Sequence, residues 1–294
     1  MASIRKKHFL TYLLTMKKPI VAILYDFDKT LCTRDMQEYT FIPSVGMKPD
    51  EFWAETSVVA KREQMDGILT YMFCMMEKAE EAGNPLKREM LVECGKDVEY
   101  HPGVEGWFDR INEYGKEAGV EVEHYILSSG LKEIIEGTTV AKYFKKIYAS
   151  EFLYGPDGKA KWAKMAVNYT NKTQFVYRIN KGVLDICNNF DLNTSTPEWD
   201  RRVNFGNMIY LGDGLTDVPC MKLVKQSGGH SIGLYPKGEK AEAQPLLKHD
   251  RVDWIFEADY REGSELDTAM KDLLEKLAYD NRLAELSDEQ KKEL

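Results

Sequence analysis

The sequence predicts an α/β fold, a Rossmann-like parallel sheet with a helical cap domain inserted after the first strand. Three observations predict it. Short apolar runs at 20–24, 122–127, 207–211 and 231–235 each end in polar or glycine-rich turns. Helical patterns lie between most of these runs, as a parallel sheet covered by helices requires. Residues 33 to about 105 break that alternation, with long helical patterns and no strand signal.

Taken in chain order, the first strand is "IVAIL" at 20–24, apolar throughout and so expected to be buried on both faces. The insertion follows. Its clearest helices are "DEFWAETSVVAKREQ" and "GILTYMFCMMEKAEEAG", the second ending on Gly83 as a stop. Phe52, Trp53, Tyr71, Met72, Phe73, Met75 and Met76 are expected to form the insertion's own core. After the strand "VEHYIL", the pattern 131–144 predicts a helix with Leu131, Ile134 and Ile135 on one face. A short strand-like run precedes Lys172. Residues 183–206 read as an irregular excursion, 221–228 as a helix ending in glycine, and the region near 252–256 as one more strand before a closing helix. The domains are therefore set at 17–32 and 106–294 for the core, 33–105 for the cap, and 1–16 for an N-terminal extension.

Composition narrows the class. The chain has 294 residues, 43% hydrophobic and 30% charged, enough for a sizeable core. A formal net charge of −8 without a basic stripe argues against nucleic acid as partner. No apolar run reaches the ~20 residues that cross a bilayer. The first residues, "MASIRKKHFLTYLLTMKKP", are basic and then briefly apolar, but they lack a small-residue cleavage site. They are read as an amphipathic lead-in, with Met16 an alternative start and the terminal "KKEL" without weight. The five scattered cysteines contain no CxxC pair, which fits free thiols in a reducing, cytoplasmic setting.

The chemistry lies at the strand ends, where open α/β sheets bind ligands. The first end gives Asp26, Asp28, Lys29 and Thr30; the second gives Ser128, Ser129 and Gly130; a third gives Lys172; the fourth gives Asp213 and Asp217. Two carboxylates two residues apart at the mouth of an apolar strand repel. A cation between them, or a proton on one of them, relieves the repulsion.

With "DFDKT", "ILSSG" and "GDGLTD" in this order, the chain resembles the haloacid dehalogenase superfamily of phosphotransferases. The helical insertion sits where the phosphoserine phosphatase-like and pyrimidine nucleotidase-like members carry a cap. The resemblance implies a magnesium-dependent phosphatase acting on a small phosphomonoester through an aspartyl phosphate. It implies Asp26 as nucleophile, Asp28 as general acid and base, and Mg²⁺ held by Asp26, Asp213 and the Asp28 backbone carbonyl. Asp217 supports the metal directly or from behind, or caps the helix after it. Thr30, Ser128, Ser129, Gly130 and Lys172 would receive the phosphate. Ser128 is favoured over Ser129 by the "SxG" spacing, and Lys172 over Lys181 by its place at a strand end. Arg34, Lys48 and Arg62 are candidates for a second anionic group of the substrate. Two alternatives stand beside the phosphatase: a phosphomutase or other phosphotransferase of the family, and a non-catalytic switch that accepts a phosphoryl group. The oligomeric state is not readable.

Overall fold

The computed structural model describes residues 18–292; the expectations for the N-terminal extension lie outside the described residues. Seven strands form one sheet: β1 (Ile20–Tyr25), β2 (Glu121–Leu131), β3 (Phe144–Tyr154), β4 (Ala160–Met165), β5 (Met208–Gly212), β6 (His230–Tyr235) and β7 (Trp254–Glu257). Their order is β4-β3-β2-β1-β5-β6-β7. Every neighbouring pair is parallel except β3 and β4. β1 lies at the centre and all six of its residues are buried, as an uninterrupted apolar run demands. Tyr25 is level with Ile126 of β2 and Leu211 of β5. The chain segments leaving these three strands therefore emerge side by side.

The insertion contains α1 (Phe41–Ser44), α2 (Pro49–Glu63), α3 (Gly67–Glu81) and α4 (Arg88–Cys94). α2 starts on a proline, and α3 starts on Asp66, whose Oδ1 accepts from the Ile68 and Leu69 amides. The sheet is covered by α5 (Val104–Ala118), α6 (Lys132–Glu136), α7 (Thr173–Lys181), α8 (Asn189–Asn193), α9 (Val218–Gln226), α10 (Lys240–Lys248) and α11 (Glu265–Lys292). Among the described residues no helix is long and apolar enough to cross a membrane, and all five cysteines are free.

Four expectations are corrected. The helix expected over 131–144 is one short turn, α6, after which the chain enters β3. Thr138 turns its hydroxyl back on the Ile135 carbonyl, and β-branched Thr138, Thr139 and Val140 disfavour a further turn. β3 and β4 were not expected, because lysines interrupt the alternation of both. The run directly before Lys172 is not a strand; β4 has ended at Met165, and Lys172 closes a 3₁₀ turn, Tyr169–Lys172, that leads into α7. Finally, Phe52, Tyr71, Met72 and Met75 do not form a separate core. They belong to one buried cluster with Val21, Ile23 and Ile126 of the sheet, and Phe73 is exposed. The excursion at 183–206 holds only α8 and short 3₁₀ turns. It is tied down by the buried Arg178 guanidinium, which donates to the carbonyls of Asp185, Ile186 and Asn188.

One buried polar chain crosses the interface between α5 and the sheet. Trp107 Nε1 donates to the Tyr25 hydroxyl at 2.9 Å, and that hydroxyl lies 3.0 Å from His124 Nδ1. Asn112 Oδ1 only accepts and lies 3.1 Å from Nε2, so neutral His124 donates from Nε2 and its Nδ1 accepts the Tyr25 hydroxyl proton. Burial lowers the His124 pKa to about 3. The unfolded chain protonates His124 near pH 6.5 and the folded chain does not, so this residue's contribution is full above about pH 6.5 and is lost as pH falls toward 3. Urea unfolding of the wild type between pH 4 and 6 should therefore show a stability slope steeper than that of His124→Gln by up to about 1.4 kcal/mol per pH unit. Equal slopes would mean that His124 ionises normally.

Candidate active site

Asp26 is the first residue past β1, and its amide donates to the Leu211 carbonyl at 2.9 Å. That bond fixes the end of β1 against the end of β5, where Asp213 begins the next loop. Oxygen atoms of Asp26, Asp213 and Asp217 lie within 4.8 Å of one another. A sheet of parallel strands in this register brings the two segments together although 187 residues separate Asp26 from Asp213 (213 − 26).

Lys172 reaches this cluster from the other side. Its ammonium, fully buried, donates to Asp26 Oδ1 at 3.0 Å and to Asp217 Oδ1 at 2.5 Å. Burial opposes its charge, but Asp217 and Asp26 more than offset that and hold its pKa above the ordinary value. Lys181 stands elsewhere, donating to the carbonyls of Leu192 and Thr194 in the excursion. Asp217 is fully engaged: Tyr210 donates to Oδ1 at 2.8 Å and the Gly214 amide to Oδ2 at 3.2 Å. It heads α9 without capping it, because its side chain turns back to the loop. A Cβ on Gly212 would lie 2.6 Å from the Asp217 carboxyl carbon, so only glycine admits that turn.

Asp28 stands apart from the three-carboxylate cluster. The Met36 amide donates to its Oδ1 at 2.8 Å, and its Oδ2 faces Gly130. A Cβ on Gly130 would lie 2.1 Å from Met36 Cε and 2.6 Å from Asp28 Oδ2. The bare backbone of Gly130 is thus the space in which the Asp28 carboxyl sits. Burial, then the charges of Asp35 and Asp26, push the Asp28 pKa well above the carboxylate range. Burial and Asp217 raise that of Asp26 to about 7, with Lys172 opposing. Asp213 is raised for the same reasons, burial first and then Asp217 and Asp26.

The other expected residues divide. Ser129 and Gly130 line the cavity, and Ser129 Oγ is buried without a hydrogen-bond partner. Ser128 is fully buried and its Oγ accepts from the Gly130 amide at 3.0 Å. Thr30 is buried too, its hydroxyl donating to Asp213 Oδ1 at 3.2 Å. Lys29 Nζ closes on Asp35 Oδ2 at 2.7 Å. Arg34, Lys48 and Arg62 do not line the cavity; Arg34 pairs with Glu99 and Arg62 with Glu63. Sequence reasoning missed Asp35, Gln37 and Tyr71 as members of the site. Tyr71 donates to the Ser129 carbonyl at 2.7 Å, which joins α3 to the loop after β2. Its place in an apolar helix gave no signal of this.

The donor set fits a hard divalent cation. Asp26, Asp213 and Asp217 offer carboxylate oxygens within reach of one point, and magnesium takes few such ligands and keeps water on the rest. Burial first, and then the neighbouring carboxylates, raise Asp26 and Asp213, and a cation among them would offset both effects.

Comparison with known proteins agrees with this geometry. The family model described as haloacid dehalogenase-like hydrolase matches residues 23–222. An uncharacterized protein of Borreliella burgdorferi is 27% identical over 277 residues, spanning 85% of this chain and 95% of its own. A phosphoserine phosphatase bearing an analogue of its phospho-aspartyl intermediate matches with a TM-score of 0.53 at 17% identity, over 87% of this chain and 99% of that one. A probable phosphoserine phosphatase from Vibrio cholerae gives 0.56 at 14% identity, over 90% of this chain and 67% of that one. The two structures share the fold.

Removing the Lys172 charge strands two buried carboxylates. Lys172→Met should lower the unfolding free energy by about 3 kcal/mol or more in urea with chelator present. Lys172→Met/Asp217→Asn should regain about 1 kcal/mol or more of that loss. An unchanged urea midpoint for the single variant would remove Lys172 from the charge balance of the site.

Proposed function

The chain belongs to the haloacid dehalogenase-like hydrolase family, and from that premise we propose that it is a magnesium-dependent phosphatase. Its substrate would be a small phosphomonoester, cleaved through an aspartyl phosphate on Asp26. The observation that carries the reading is the convergence of Asp26, Asp213 and Asp217 around one point, with the Lys172 ammonium 3.0 Å from Asp26. Asp26, Asp213 and the Asp28 backbone carbonyl would hold Mg²⁺, with Asp217 behind them. When bound, the ion supplies positive charge that offsets the repulsion between a phosphate dianion and these carboxylates.

The protein's own groups do the rest. Asp26 attacks phosphorus as a carboxylate; one P–O bond forms to Asp26 and the P–O bond to the leaving alcohol breaks. Asp28 gives the leaving oxygen a proton. The Met36 amide occupies Oδ1, which leaves Oδ2, beside Gly130 and the cavity, to carry that proton. The raised Asp28 pKa keeps the acid form populated. In the second half Asp28, now a carboxylate, takes a proton from water, whose oxygen attacks phosphorus and frees Asp26. The unpartnered Ser129 hydroxyl is the donor placed on the cavity wall for a phosphoryl oxygen. An acid at position 28 that also activates water favours turnover over the long-lived phosphorylated state a switch needs.

Turnover of p-nitrophenyl phosphate should require magnesium and stop with chelator. Asp26→Asn should reduce it by about a thousandfold or more while the far-ultraviolet circular dichroism is unchanged. A folded Asp26→Asn protein with substantial residual turnover would end the nucleophile assignment. Gly130→Ala should lower kcat by about a hundredfold, since its methyl group displaces the Asp28 carboxyl. Wild-type kcat in Gly130→Ala would show that the Asp28 position is not critical.

A further inference from the structure

The cavity that opens in front of Asp26 and Asp28 has a volume of about 510 Å³, more than a phosphoryl group fills. Its far wall comes from the insertion: Gln37, Trp53, Thr56, Ala60, Ile68 and Tyr71. None of these side chains carries a charge. Apart from the aspartates already assigned, the charged lining consists of Lys29 and Asp35, closed on each other at 2.7 Å. Among the described residues, the one cation on the wall is therefore already paired.

Two polar side chains of that wall carry atoms without a hydrogen-bond partner. Gln37 is 2% exposed, and its Oε1 has no hydrogen-bond partner. Thr56 is buried, with only the thiol of Cys74, a weak donor, beside its hydroxyl. A buried amide oxygen without a partner is costly unless a ligand supplies a donor. Trp53 and Tyr71, edge to face at 6.0 Å, give the same wall an apolar surface, and the Trp53 N–H is spent on Glu38.

We propose that the alcohol released here carries no carboxylate or second phosphate, and that it donates a hydrogen bond to Gln37 Oε1. A carboxylate carried into this wall would lose its water and find no unpaired cation among the described residues, only neutral amide and hydroxyl groups and apolar surface. Aspartates would face it from the floor. An alcohol bearing hydroxyl or ammonium donors meets the opposite situation, because Gln37 Oε1 accepts from either. The proposal deepens the phosphatase reading and rests on it.

Two substrate pairs that differ by one carboxylate test it. Phosphoethanolamine should exceed O-phosphoserine, and glycerol 3-phosphate should exceed 3-phosphoglycerate, each by about tenfold or more in kcat/KM. Gln37→Leu should raise KM for the better member of each pair more than it lowers kcat. Equal or better turnover of the carboxylated members would overturn the proposal and leave the phosphatase reading standing. Inactivity toward all four esters and p-nitrophenyl phosphate would instead overturn that reading. The inference is then decided by binding, as the thermal shift each of the four produces with the Asp26→Asn protein and magnesium. Larger shifts from the two esters without a carboxylate support it, and larger shifts from the carboxylated ones refute it.

Discussion

The buried ammonium of Lys172 faces two carboxylates that the sheet forces together, and the rest of the site is arranged around that contact. Parallel pairing of β1 with β5 puts Asp26 and the Asp213 loop at one level. Charge gathered so closely in a buried place is unfavourable without a counter-ion. One lysine offsets only part of it, and Asp26 and Asp213 remain displaced from their ordinary pKa range. The remaining deficit is a demand for a cation, and a doubly charged oxygen-seeking ion meets it in one step. Under the proposed reading, the stability of the site without the ion and its affinity for the ion would be two expressions of one imbalance.

That imbalance also separates the two members of the "DFD" pair. Asp26 is held by Lys172, whereas Asp28 has an amide on Oδ1 and the negative charges of Asp35 and Asp26 nearby. Burial raises both carboxyls, but only Asp26 has a cation against it, and the proposed division into nucleophile and proton donor rests on that difference. Strand alternation alone would put the two on one side; the insertion separates them, because Met36 supplies the amide that grips Asp28.

Much of this was legible in the sequence. The apolar run at 20–24 and the acidic residues after it mark a strand end without ambiguity, and the glycines around Asp213 mark the matching loop. β1, β2, β5 and β6 are readable because most of their residues are buried and their centres are apolar, whereas β7, half exposed at the other edge, shows only as a short run near 252–256. β3 and β4 lie at the open edge and carry lysines, so their period is broken. Helix α6 was over-extended for a related reason, since the residues after it are apolar but β-branched. Lys172 was chosen over Lys181 for an expected place at a strand end, yet the run before it is a turn. The state of Gln37 and Ser129 was not legible at all, because lacking a partner is a property of the packed molecule and leaves no pattern in the chain.

The loop between the two halves of the charge centre shows why the whole chain is needed. Lys29 adopts φ 56°, a left-handed conformation that a long side chain occupies only when its surroundings impose it. Two distant groups impose it. His101, at the end of the insertion, has Nε2 3.1 Å from the Lys29 carbonyl, and Tyr260, beyond β7, donates to the Thr30 carbonyl at 2.8 Å. Tyr260 is in turn packed edge to face on Trp107 at 5.1 Å. The turn that follows Asp28 is therefore clamped by residues 72 and 230 positions away in sequence. A local motif supplies the carboxylates, but the chain that carries Asp28 is held by the insertion and the last segment of the fold closing over two adjacent peptide units.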